Sequence, residues 1–197
     1  MMRRTLLFVF VIMMVLPQVA HGKTLSYWYS NLDKIGNDSN RYIWSNVIDG
    51  FTVSDFTSYQ DYARDQWSSD AGISTYGADE KASSSIHWYG GNQSTLREME
   101  PSLEVYRAVC VPEYLYLIGN HTYNGTTKEN WRMKSKIYTP KLPWYYGFSN
   151  YNLMFTHELG HGLGWLGHSS NSGDLMNADA SNDTLSTRDI NHLQQNY

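Results

Sequence analysis

Residues 155–176 read "FTHELGHGLGWLGHSSNSGDLM", a run that sets three histidines and one glutamate among glycines and apolar side chains. On a helix, His157 and His161 lie about 40° apart in azimuth and about 6 Å apart in rise, so they share one face and their two imidazoles can hold one metal ion. Glu158 stands about 100° round the helix from His157, where it need not be a ligand and can reach a water on that metal as a general base. Gly164, three residues past His161, is free to adopt positive φ and turn the chain out of the helix, so that His168 returns from another direction. Three nitrogen ligands from two directions make an open tetrahedral zinc site whose fourth position is left for water or substrate. Satisfied core histidines with helix-breaking glycines would be the plain reading of a lone histidine. Five positions together, in H-E-x-x-H-x-x-G-x-x-x-H, arise by chance in a chain this long on the order of once in 10⁵.

The rest of the chain supplies the scaffold for such a site. An aromatic, alternating run at 23–30 ("KTLSYWYS") reads as a strand. An amphipathic helix is expected over about 55–68, behind a Ser54/Asp55 cap, because Phe56, Tyr59, Ala63 and Trp67 recur at three- and four-residue spacing. Short alternating runs at 72–76 and 83–89 read as two more strands, with Gly90 and Gly91 closing the second. The region 92–131 reads as an insertion, holding a helix broken by Pro101, an edge strand in "EYLYLIG" and a turn-rich tip; 133–140 then looks like a strand stopped by Pro140. Strand, helix, several strands and a histidine-bearing helix are an α+β order.

With these residues in view, the chain resembles the metzincin zinc peptidases: "HELGHGLGWLGH" agrees with their zinc motif H-E-x-x-H-x-x-G-x-x-H through Gly164 and sets one extra residue before its third histidine, His168, and "SGDLM" resembles the Met-turn that follows it, with Met176 as its methionine. Ser169 after the third histidine, and seven residues between His168 and Met176, are similar to the matrixin branch. Astacin- and serralysin-type members carry a tyrosine two residues past the methionine, where this chain has Ala178. "KTLSYWY", "ARDQWSSDAGISTY", "SSSIHWY" and "LSTRDINHLQQNY" are more faintly similar to the first strand, first helix with second strand, third strand and closing helix of matrixins. The resemblance implies a zincin-like fold: a twisted mixed β-sheet, an active-site helix, a Met-turn and a C-terminal helix. It further implies one catalytic zinc on His157, His161 and His168, Glu158 as the catalytic base, Gly164 as the turn, and Met176 as an apolar floor. Structural calcium is compatible with it, but no residues here mark a calcium site, and His87 and His121 are too few for a second zinc.

The first residues read as an address: "MMRR", twelve apolar or near-apolar residues at 5–16, Pro17, and small residues at Ala20 and Gly22, so residues 1–22 are expected to be a signal peptide and 23–197 one matrixin-like catalytic domain. The implied product is a secreted, extracellular monomer acting on protein or peptide substrates, with no stable membrane association after cleavage. A net charge of −4 without a basic run excludes nucleic acid as a charge-driven partner. Cys110, the single cysteine, cannot form an intramolecular disulfide. "RAVCVPE" faintly resembles the latency segment of matrixins, but it follows three expected strands where a prodomain should precede them, so Cys110 reads as a small buried thiol. The competing readings are a zinc-binding module without turnover and a surface-interaction protein built on its 16 Tyr and 7 Trp.

Overall fold

The computed structural model describes residues 34–37, 41–123, 126–142 and 151–194. Six strands form one sheet: β1 (Lys34–Asn37), β2 (Tyr42–Val47), β3 (Tyr76–Gly77), β4 (Ile86–Asn92), β5 (Val109–Tyr123) and β6 (Thr126–Lys141). The strand order is β1-β6-β4-β2-β3, parallel throughout, with β5 added antiparallel along β6. Helices α1 (Val53–Ser69), α2 (Gln93–Met99), α3 (Tyr151–Gly162) and α4 (Thr187–Leu193) complete the fold. It is the expected α+β architecture, a mixed sheet with an active-site helix and a C-terminal helix.

The main core lies between one face of the sheet and helices α1 and α3. From α1 come Phe56, Ala63 and Trp67, from α3 Phe155 and Leu159, and from the strands Ile43, Ile86, Trp88 and Ile137. The buried positions of α1, Phe56, Gln60, Ala63 and Trp67, keep helical spacing, and the helix starts earlier than expected because Thr52 accepts a hydrogen bond from the Asp55 N–H at 3.0 Å as its N-cap. On the other face, α2 and a 3-10 turn at Pro101–Glu104 bring Leu96 and Leu103 onto Tyr89 and Tyr138.

Four expectations are corrected. Gly90 and Gly91 do not close β4, which continues to Asn92: a Cβ on Gly90 would run into the Phe56 ring, and one on Gly91 would lie 2.8 Å from the Asp49 carboxylate. The glycines therefore admit α1 and its entry loop against a continuing strand. Residues 92–131 are not an insertion, because they cover the second face and then build β5 and the first six of the 16 residues of β6. At 72–76 only Tyr76 pairs, in the two-residue β3. β6 runs one residue past Pro140, to Lys141. The strand expected at 23–30 and the leader at 1–22 fall outside the described residues. Among the described residues, the strand preceding α1 is β2.

Candidate metal centre and cleft

Helix α3 carries His157, Glu158 and His161, and the way it ends aims the third histidine. Gly164 has φ +108°, its N–H donates to the His161 carbonyl (3.0 Å), and the Trp165 N–H donates to the Gly160 carbonyl (2.9 Å). That pair of bonds round a positive-φ glycine is a Schellman stop, which satisfies the last helical carbonyls and reverses the chain. A second positive-φ residue, Gly167 (φ +82°), then delivers His168.

The backbone beyond the helix also orients the two helical imidazoles. His157 Nδ1 lies 2.7 Å from the Leu175 carbonyl oxygen, and His161 Nδ1 lies 2.7 Å from that of Trp165. A carbonyl only accepts, so each Nδ1 carries the proton. Burial pushes His157 down to about 4 and His161 well below the usual histidine range, so both rings are neutral near pH 7. Each Nε2 then presents a lone pair, and the two Nε2 atoms are 3.1 Å apart with no proton between them. His168 closes the triangle: ring centroids are 4.8, 5.2 and 5.0 Å apart, and one nitrogen from each ring lies within 4.8 Å of the others. Converging lone pairs repel unless a cation sits among them, and three neutral imidazoles are a donor set that zinc accepts.

Glu158 lies beside this cluster, 7% exposed, with Oε2 buried and without a hydrogen-bond partner. Burial pushes its carboxyl up to about 8. It lines a cleft of about 760 Å³ whose walls include the start of β5, Met154 and residues 177–180. Cys110 lines that cleft too, so the expectation of a plain core thiol is corrected: it is half-buried on β5, facing α3. Burial, with the neighbouring Glu158 charge, pushes its thiol well above the ordinary range, where it stays protonated.

Met176 is fully buried beneath α3. A Cβ on Gly160 would lie 2.5 Å from its Sδ and 2.7 Å from Trp67, which is why a glycine stands in the middle of this helix. Trp67 Nε1 donates to the Thr156 carbonyl at 2.9 Å, fastening α1 to the helix one residue before His157.

The supports that sequence reasoning missed come from α4. Asp189 accepts from the Leu175 N–H (2.9 Å) and the Met176 N–H (3.2 Å), and forms a capping box with Ser186. Arg188 holds the fully buried Asp174 with both Nε and a terminal nitrogen (2.7 Å), and Asp174 also accepts from Ser169 and Ser186. Ser186-x-x-Asp189 was readable as a cap motif, whereas nothing marked the 174–188 pair. Burial alone would raise the Asp174 carboxyl, but the bonds from Arg188, Ser169 and Ser186 outweigh it and hold the group below its usual value. Its stabilisation is therefore present above the ordinary carboxylate pKa and is lost as pH falls through the lowered one. Asp174→Asn is expected to lower unfolding stability at pH 7 by about 1–3 kcal/mol and to flatten its decline on acidification. Urea melts of both proteins from neutral pH to pH 3 check this, and parallel curves for the two would remove Asp174 from the account.

A neutral three-histidine cluster on a helix and the turn after it, above a buried methionine and below the antiparallel edge of a mixed sheet, defines the zincin-like metallopeptidase class. Comparison with family models adds the specific member of that class: the matrixin model matches residues 47–197. The chain belongs to the matrixin family, which is zinc-dependent and proteolytic. Comparison with curated proteins returned no match.

Proposed function

We propose that this protein is a secreted zinc endopeptidase in which His157, His161 and His168 hold the ion and Glu158 is the general base. One observation carries the reading: two unprotonated Nε2 atoms facing each other at 3.1 Å, beside a buried carboxyl oxygen of Glu158 that has no partner, in an open cleft. When bound, zinc supplies a Lewis acid that brings the pKa of water towards about 7 and draws electrons from the scissile carbonyl. Glu158 Oε2 accepts a proton from the attacking water. The same carboxyl then donates that proton to the nitrogen of the breaking peptide bond, so one group serves as base and acid. Leu175 and Trp165, through their carbonyls, keep the two helical imidazoles in the metal-binding tautomer, as outer partners of metal ligands commonly do.

Substrate lies extended along β5. Ser135 donates its N–H to Ser85 on the β4 side, so its opposite number, Pro112, turns its carbonyl away from β6. The same parity turns the Cys110 N–H and carbonyl to the free edge, beside the cleft, where an added strand would pair. Cleavage of the leader after Gly22 and a monomeric, extracellular product complete the proposal, on the strength of the N-terminal charge and apolar pattern. Among the described residues, no helix is long and apolar enough to cross a membrane.

The test uses protein recovered from the medium of a secreting host. Mass spectrometry should give a chain beginning at Lys23, and metal analysis one zinc per chain. Cleavage of a denatured generic protein should vanish with a chelator and return with zinc. Cleavage that persists in chelator rejects the zinc mechanism, and a retained leader rejects the secretory one.

A further inference from the structure

Strand β5 does more than border the cleft. It is 15 residues long and, among the described residues, pairs with β6 alone, so its outer edge is open along its length. Its first third lines the cleft. Further along stand Leu115, Tyr116, Leu117 and Ile118, four consecutive apolar side chains between 39% and 59% exposed. Soluble proteins blunt such edges with charge, proline or bulges, because an open apolar edge recruits another strand. Here the devices are Pro112 and the exposed charge of Glu113, beside the cleft, and register shifts that leave Leu115 and Ile118, the two ends of the apolar run, without a partner on β6. Val105 and Tyr106, also exposed, line the cleft just before β5, so exposed apolar side chains stand at the cleft and again further down the same strand, with Arg107 and Glu113 between them.

We propose that Leu115–Ile118 are a distal substrate-recognition surface, which takes an uncharged, apolar, extended segment of the protein whose scissile bond lies in the cleft. The inference rests on the endopeptidase reading above. Continuity decides the occupant: a strand paired with the outward-facing groups of Cys110 and Pro112 runs on along the same edge. Leu117 lies seven residues beyond Cys110, about 20–25 Å at the rise of a strand. The surface would therefore read residues well removed from the cleaved bond, and would favour substrates that are locally unfolded and apolar on one side of it. Contiguous exposed apolar surface of this kind marks interaction sites in soluble proteins.

The test compares a short fluorogenic peptide, chosen from a cleavage library to span only the scissile bond and its neighbours, with the same core extended at either end by a Leu/Val-rich or a Ser/Gly-rich segment. One apolar extension should raise kcat/KM about tenfold, chiefly through KM, and the Ser/Gly extension should not. Leu117→Glu combined with Ile118→Glu should abolish that gain while leaving zinc content and short-peptide cleavage unchanged. Tyr116→Ser, a milder change at an exposed position, should reduce it. A gain below about twofold in the wild type, or one that survives in both variants, overturns the proposal. So does sedimentation showing a wild-type dimer that the variants convert to monomer, because the surface is then a self-interface. Should the wild type cleave no peptide, the endopeptidase reading falls. Anisotropy of the labelled extended peptides on the Glu158→Gln protein then decides the surface separately: tighter binding of the apolar extension supports it, and equal binding removes it.

Discussion

Glu158→Gln is expected to fold and to hold zinc near normally, while cleavage of a protein substrate falls by about 10²- to 10⁴-fold. Glutamine keeps the size of the side chain and an oxygen at its end but cannot take the proton. Because Oε2 has no partner in the protein, the substitution breaks no existing hydrogen bond at that atom, and loss of structure does not confound the result. The comparison requires kcat on a denatured protein, zinc content and a thermal melt for both proteins. Equal cleavage rates would remove Glu158 as the base. A wild type that binds zinc and cleaves nothing would favour a metal-binding module without turnover.

The largest effect on stability is expected from Trp67→Ala. Trp67 is fully buried in the main core, stands against Gly160, and donates to the Thr156 carbonyl. Removing a fully buried tryptophan should lower unfolding stability by about 3–5 kcal/mol. For a domain of this size that is a fall in Tm on the order of 10 °C. The same change frees α3 next to His157, so zinc affinity should weaken together with stability. Calorimetry and a competitive zinc titration measure the two. A Tm within a degree or two of wild type would mean that the core closes over the gap and that Trp67 does not fasten the helix.

The parts of this molecule that could be read from its residues are those where one physical rule dominates. The metal cluster is confined to residues 157–168, so helix geometry and a turn at Gly164 were enough to read its parts, although a second positive-φ residue, Gly167, was not anticipated. Helix α1 shows its buried face because Phe56, Ala63 and Trp67 keep helical spacing. Strand β2 gave no such signal. Of Tyr42–Val47 only Ile43 is buried, so the alternation that announces a strand is missing, and pairing on both sides with β3 and β4 holds it instead. Strand β5 was legible only in part, as the edge strand in "EYLYLIG", since Pro112 and two register shifts interrupt its pattern and its apolar residues face outward. The clamp from Arg188 to Asp174 joins positions 14 apart in sequence across an irregular loop, and no periodicity reports such a pair.

The close seating of α1 on β4 also limits how this sequence can diverge. Phe56 occupies the space that a side chain at Gly90 would need. A larger residue at 90 is tolerable only where 56 has become smaller, and a smaller residue at 56 leaves a void unless 90 grows. Neighbours that share one volume respond non-additively to substitution. Positions 56 and 90 are therefore a single evolutionary unit, and homologues that differ at one of them should carry a compensating change at the other.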